Sequence, residues 1–322
     1  CYGEGYDKLP DKKKQKIEIE VAQTFSYLNE ELNINNEKGR LRSLSFDCIY
    51  GTDANPRMAR TAKMNMIMHG DGHGGVHHHD GLLNVNGIFE NRFDIILTNP
   101  PFGARVEKDL KISEADRFTD ETKIAAYVER YGEEYKKALR QVNDNINKSL
   151  LSLYKIDSSL TEVLFIERCL NLLKPGGRMG IVLPEGVLNN TNLQKARDFV
   201  EGKAKILLIV SIPQDVFISS GATVKPSLLF FKKFTGEEAD AYSQILNHAQ
   251  SEVASKYQKE VDSLKEKLKQ RESEVLSKEE KKAYRAKLKA LQEKIEAEVK
   301  TIVKEKFDYA IPIAEIQKAG IS

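Results

Sequence analysis

Apolar residues recur every three to four positions at Ile17, Val21, Phe25 and Leu28, within a stretch from 11 to 32 that is otherwise rich in Lys, Glu and Gln. This spacing predicts an amphipathic helix with a solvated polar face. The pattern then shortens. Phe46–Tyr50 is a β-prone run closed by Gly51, and Pro56 opens a helical pattern through Met58 and Ala62 to about His69. Gly70, Gly72, Gly74 and Gly75 end that helix, and Val76–His79 and the apolar run Phe93–Thr98 have strand length. The highly charged stretch from Gly103 to about Ser158 reads as helices and loops. A helix at Thr161–Leu173 follows, then a turn at Pro175-Gly176-Gly177, a strand at Met179–Leu183, a helix at Gln194–Val200, and strands at Ile206–Ile212 and Ser227–Phe231. Strands alternating with helices predict an α/β fold whose mostly parallel sheet is covered on both faces.

From about Glu237 the composition shifts to Lys, Glu, Ala and Leu. Val253, Tyr257, Val261, Leu264 and Leu268 form one apolar seam, and Leu288, Leu291, Ile295, Val299 and Ile302 form a second. Ser277-Lys278-Glu279-Glu280 between them matches a capping box, so two helices folded back as an antiparallel hairpin are expected, with one long helix as the alternative. The domains read as an α/β body at 1–236, a helical coiled-coil arm at 237–306 and a C-terminal tail at 307–322.

The chain has 322 residues, enough to bury a full core, and no apolar run approaches the roughly 18–20 residues that span a bilayer. A membrane role is therefore not expected. Its 50 basic residues nearly cancel 48 acidic ones, so any nucleic-acid footprint must be a local patch. Cys1, Cys48 and Cys169 have no paired spacing, which argues against a disulfide framework and suits the reducing cytoplasm. A chain starting at Cys1 is expected to be a fragment or to lack a processed beginning.

The chemistry concentrates in Asn99-Pro100-Pro101-Phe102, at the end of the strand Phe93–Thr98. The exocyclic nitrogen of adenine is a poor nucleophile because its lone pair is delocalised into the ring. Acceptors for its hydrogens shift that density back. The Asn99 amide oxygen and the Pro100 carbonyl can each take one hydrogen, and Phe102 can stack on an extruded base. The two prolines stiffen the loop and remove competing backbone donors. Open α/β sheets also bind ligands at this end of their strands. The same tetrapeptide can instead be only a stiff turn. Asp53, just past the first strand, can accept from two ribose hydroxyls, or it can cap the following helix, a role equally open to Asn55. Asp80, in His79-Asp80-Gly81-Leu82-Leu83, can take the amino group of a cofactor's adenine with Leu82 over the ring, although Asp-Gly alone is a good turn.

Four segments in order, GTDANPRMARTAKMN from Gly51, FDIILTNPPFG from Phe93, LKPGGRMGIVLPEGVL from Leu173 and GATVKPSLLFFK from Gly221, resemble the modification subunits of type I restriction-modification systems, γ-type N6-adenine DNA methyltransferases. The resemblance covers roughly residues 46–234. It implies an α/β, Rossmann-like S-adenosylmethionine-dependent methyltransferase sheet with a C-terminal coiled-coil hairpin. It also implies methyl transfer from S-adenosylmethionine to adenine N6 in DNA, in line and without a covalent enzyme intermediate. Asn99, Pro100, Pro101 and Phe102 would be catalytic, and Asp53, Ala54, Asp80, Gly81, Leu82 and Asn99 would bind the cofactor. Partners would be DNA and the specificity and restriction subunits of the same system, in the cytoplasm. The family's glycine-rich cofactor loop is not found before Asp53, since Gly3-x-Gly5 has no room for a preceding strand. The chain is therefore expected to begin after that loop, its sheet lacking the first strand, and to be inactive alone.

Other signals are weaker. Gly176-Gly177-x-x-Gly180 precedes a strand where a dinucleotide loop precedes a helix, and so reads as a turn. His77-His78-His79 would alternate across a strand, and no metal site is expected. Lys108, Lys111, Arg117 and Lys123 alternate with acids and read as a solvated face, with phosphate contact as the alternative. Asn-Pro-Pro-aromatic loops also serve RNA base and protein-glutamine methyltransferases, so protein glutamine, RNA bases and a catalytically inactive assembly module stand as alternatives.

Overall fold

The computed structural model describes residues 5–33, 35–36, 38–44, 48–69, 75–220, 224–269 and 278–318. Expectations resting on Cys1, Gly3, Phe46 and Asp47, Gly70 to Gly74, Gly221 to Thr223 and the Ser277 cap lie outside them. In chain order the elements are α1 (Asp11–Glu31), α2 (Arg40–Ser43), β1 (Gly51–Asp53), α3 (Pro56–Met68), β2 (Val76–His78), β3 (Phe93–Thr98), α4 (Glu121–Asn143), α5 (Thr161–Leu172), β4 (Leu173–Pro184), α6 (Gly186–Asn189), α7 (Gln194–Glu201), β5 (Ala204–Ser211), β6 (Pro226–Lys233), α8 (Gly236–Lys269), α9 (Lys278–Lys306) and β7 (Ile313–Glu315). They fall into two units, one of residues 1–90 with 109–150 and one of 91–108 with 151–322.

In the first unit α1 occupies the expected span, and its apolar stripe is half-buried at Ile17 and Val21 and exposed at Phe25, by 49%, and Leu28, by 44%. β1 and β2 pair in parallel, Gly51 opposite Val76 and Asp53 opposite His78. The strand expected at Phe46–Tyr50 is corrected over its described residues: Cys48, Ile49 and Tyr50 are not in a strand, and the ladder begins at Gly51. A strand exists only where it has a partner, and pairing opens with the Gly51 N–H donating to the Gly75 carbonyl at 3.0 Å. Gly75 permits this approach, because a Cβ there would stand 2.0 Å from the Ile49 carbonyl oxygen. Asn55 caps α3, its side chain accepting from the Arg57 and Met58 N–H groups with Pro56 in the first turn. Phe89 packs edge-on against Tyr131 and Tyr135 of α4, with ring centroids 5.4 and 5.8 Å apart, and Tyr127 stacks on Tyr135 at 5.2 Å. Burial pushes the Tyr135 hydroxyl up to about 12.

His77 of β2 has Nδ1 3.2 Å from the Asn86 side-chain nitrogen, while its buried Nε2 has no partner among the described residues. Burial, helped by Lys63, His79 and Lys123, lowers its pKa from 6.5 to about 4. The native state therefore holds His77 neutral while the unfolded chain takes up a proton below about 6.5. Protonation favours unfolding, so this contribution is intact above pH 6.5 and is lost as pH falls toward 4. Thermal unfolding between pH 7.5 and 4.5 should show a steeper acid-side loss for the wild type than for His77→Gln; equal slopes would remove His77 as the cause.

The second unit contains a sheet in the order β3-β4-β6-β5-β7. β3–β4 and β5–β7 are parallel, and β6 runs antiparallel to both neighbours. The reason lies in the connection. A parallel return needs a crossover of a dozen or more residues, usually a helix, and among the described residues the short segment between β5 and β6 holds the 3₁₀ turn Gln214–Ser220 and no α-helix, so the strand comes back antiparallel. The Pro175-Gly176-Gly177 turn is a bulge inside β4: Phe93 faces Leu173 but Ile95 faces Arg178, and Lys174–Gly177 loop out with Gly176 at φ 79°. Ile166, Cys169 and Leu170 of α5 pack with Met179, Ile181, Leu183, Leu229 and Phe231 of the sheet.

The arm is an antiparallel hairpin, and the single-helix alternative does not hold. Val253 and Tyr257 of α8 meet Leu291, Val299 and Val303 of α9, and Glu298 accepts from Lys256 and, at 2.9 Å, from the Tyr257 hydroxyl. At its root burial raises the Glu238 pKa, but Lys232, the Thr235 N–H and Lys205 outweigh it and hold the carboxyl at about 2. The segment read as a tail adds β7 to the sheet edge beside β5, and the Tyr309 hydroxyl accepts from the Ile206 N–H at 3.2 Å. Among the described residues no helix is long and apolar enough to cross a membrane.

Candidate active site

β3 occupies one edge of its sheet and delivers Asn99–Phe102 past its carboxyl end. Asn99 is exposed and its side chain has no hydrogen-bond partner among the described residues; Pro100 is buried, Pro101 exposed and Phe102 half-buried. Gly103 then takes φ 68°, a left-handed conformation that glycine adopts without strain, and turns the chain. The exit is strapped to the start of α5. The Ala104 carbonyl accepts from the Thr161 N–H at 2.9 Å and hydroxyl at 3.1 Å, and the Val106 N–H donates to the Ser159 carbonyl at 2.8 Å.

These loop residues line a cavity of about 780 Å³, whose other walls include Leu160, Glu162, Val187 and Phe217. Phe102 meets Phe217 edge to face, with centroids 5.9 Å apart and planes at 85°. Neither Glu162 nor Phe217 was marked by sequence reasoning. Phe217 sits in a short 3₁₀ turn with no periodicity to expose it. The only sequence sign of Glu162 is an acid at the start of the strongly apolar helix TEVLFIERCL.

Asp53, Ala54, Asp80, Gly81 and Leu82 belong to the first unit. Asp53 ends β1 and accepts the Asn55 N–H on Oδ1 at 2.7 Å, so the helix cap is Asn55 and not Asp53. Asp80 follows β2 and accepts the Leu82 N–H on Oδ1 at 2.9 Å. The two carboxylates thus stand at the carboxyl ends of neighbouring parallel strands, Asp53 as the last residue of β1 and Asp80 two residues beyond β2, each with its second oxygen unengaged among the described residues. Ala54 is exposed, whereas Leu82 is 5% exposed.

The three histidines diverge, His77 toward Asn86, His78 to the Ala54 carbonyl at 3.1 Å, and His79 to the Asp80 carbonyl and Asp116. Among the described residues no group of three or more His, Cys, Asp or Glu gathers to hold a metal. Arg117 pairs with Glu114 and Lys123 with Asp120, local contacts that leave both on a solvated face.

The model of the N-6 DNA methylase family matches residues 22–135 and 130–310. The chain belongs to the N-6 DNA methylase family. Solved structures similar to this N-6 DNA methylase chain include one concerned with complex assembly and conformational transition of the type I R-M system, at 24% identity, 60% coverage of this chain and 32% of that one, with a TM-score of 0.42. A modification subunit of a putative type I restriction enzyme from Vibrio vulnificus matches at 20% identity, with coverages of 60% and 34% and a TM-score of 0.40. The M protein of the type I restriction enzyme EcoKI matches at 20% identity, with coverages of 66% and 36% and a TM-score of 0.42. The methylase chain spans about a third of the length of each.

Proposed function

We propose that this chain carries the methyl-transfer centre of a type I modification subunit and methylates adenine N6 in DNA using S-adenosylmethionine. The observation that carries this reading is the cavity lined by Asn99, Pro100, Pro101 and Phe102 in a member of the N-6 DNA methylase family. Asn99 presents a side chain with no competing partner among the described residues, Pro100 offers a carbonyl and no N–H, and Phe102 offers a ring for an extruded base. The adenine amine is held by acceptors that draw density onto its nitrogen as positive charge develops there.

Asp53 and Asp80, with Ala54, Gly81 and Leu82 beside them, would hold the cofactor's nucleoside. The residues fit it, because among the described residues each carboxylate has one oxygen left for a ribose hydroxyl or an adenine amine. The chemistry that S-adenosylmethionine supplies when bound is an activated methyl group on sulfonium. On this reading residues 1–236 are the catalytic body, 237–306 the arm that joins the specificity subunit, and 307–322 the tail, working on DNA in the cytoplasm with the restriction subunit.

The test combines calorimetric titration of the chain, alone and assembled with its partner subunits, against S-adenosylmethionine with transfer of labelled methyl to DNA, RNA and glutamine-containing peptide. Label recovered as N6-methyladenine in DNA is the expected result. Label on glutamine or RNA would overturn the substrate, and neither binding nor transfer in the assembled protein would overturn the enzyme reading in favour of an assembly module.

A further inference from the structure

Two carboxylates of α5 are almost fully buried, and only one is satisfied. Glu167, 1% exposed, accepts from the Lys155 N–H on both oxygens and from the Ile156 N–H on Oε2. Glu162, 4% exposed, accepts the Gly103 N–H on Oε1 at 3.3 Å, while its buried Oε2 has no partner among the described residues. An unpaired buried acceptor carries a standing cost, and a carboxylate more than most. Glu167 explains itself by its bonds. Glu162 does not, and it lies in the wall of the cavity that Asn99–Gly103 line.

No Lys or Arg lines that cavity among the described residues, and Leu160, Pro184, Val187, Leu193, Phe217 and Val224 make most of its wall apolar. A carboxylate in such surroundings favours a ligand that brings a hydrogen-bond donor and repels one that brings lone pairs. We infer that Glu162 is a specificity-determining residue of this pocket: rotation of its carboxyl group brings the buried free oxygen to the pocket, where it accepts from the exocyclic amine of the bound base and excludes a purine with oxygen at the same position. The inference rests on reading the cavity as a base pocket. An amine offers two hydrogens, to the Asn99 amide oxygen and the Pro100 carbonyl; Glu162 shares one of them in a three-centre bond. A 6-oxo purine would face three acceptors with none of its own donors at that atom. The tie to Gly103 holds the carboxylate beside the loop that carries the other two.

Glu162→Gln separates the two oxygens. The amide oxygen still accepts from Gly103, and the amide nitrogen puts a donor where the free acceptor stood. Free adenosine and free inosine, titrated by NMR into the full chain, are the probes, and thermal unfolding is followed in parallel. The wild type should prefer adenosine by about tenfold or more. Glu162→Gln should bring the ratio to about one or invert it, with an unfolding midpoint equal to or above the wild type, since a buried charge is replaced by a neutral group. An unchanged preference in Glu162→Gln overturns the inference and leaves the base pocket standing. A variant that fails to fold, or melts well below the wild type, overturns it too, by making the carboxylate a structural tie like Glu167. A wild type that binds neither nucleoside, or both alike, overturns the base-pocket reading itself and this inference with it.

Discussion

Asn99→Ala is expected to lower the rate of methyl transfer by a factor of about 10²–10³, the usual loss when one preorganised electrostatic partner of a developing charge is deleted. The effect should fall on the chemical step. Asn99 is exposed and its side chain is tied to nothing among the described residues, so its removal opens no core cavity. Exposed substitutions of this kind usually move stability by less than about 0.5 kcal/mol. Single-turnover transfer to adenine-containing DNA, beside a thermal melt, separates the two quantities. Asn99→Asp is the informative companion, because a carboxylate keeps an acceptor where Ala keeps none. It should retain more activity than Asn99→Ala. Equal losses in both would mean that the amide acts as a donor, and full activity in Asn99→Ala would remove the loop from the chemistry altogether.

That loop was legible because its information is local. Phe93–Thr98 is a strand-length apolar run, Asn-Pro-Pro breaks it, and the structure ends β3 at Thr98. The same holds for α3, whose cap, proline and apolar spacing lie within a few residues, and for the arm, where two seams separated by a break fold into α8 and α9. What escaped depends on distant partners. β1 starts at Gly51 because Gly75 comes to meet it, a choice that Phe46–Tyr50 cannot announce. β7 has all three residues exposed, so its place comes from backbone pairing with β5 and leaves no alternation to read. The exposed Ile95 and Leu97 of β3, 69% and 78%, show the converse: an apolar run predicts a strand without saying how much of it is covered. Glu162 and Phe217 come to the loop from α5 and from a turn more than a hundred residues onward in the chain, and nothing in their own neighbourhoods names the cavity they share.

Glu167 holds the 155–156 segment by buried hydrogen bonds from two backbone N–H groups. Glu167→Ala is expected to cost about 3 kcal/mol or more, because bonds between a charged group and backbone N–H groups are worth about 1.5–3 kcal/mol each. The Lys155 and Ile156 N–H groups lose their acceptor, at 2.9 and 2.8 Å, and Ile156 itself is buried at 7% exposure. Glu167→Gln should recover only part of the loss, since its amide nitrogen points a donor at a donor. Denaturant unfolding measures both, and losses below about 1 kcal/mol would mean that the 155–156 segment finds other acceptors. A second consequence follows from connectivity. The held segment runs directly into Ser159–Glu162, which straps the exit of the Asn99–Phe102 loop through Ala104 and Val106. Under conditions where Glu167→Ala remains folded, backbone amide exchange at Val106 and Thr161 should therefore quicken relative to α8 and α9, whose core is made by different residues. Quickening spread evenly over the hairpin and the strap would instead mean that Glu167 stabilises the unit as a whole and gives the loop no support of its own.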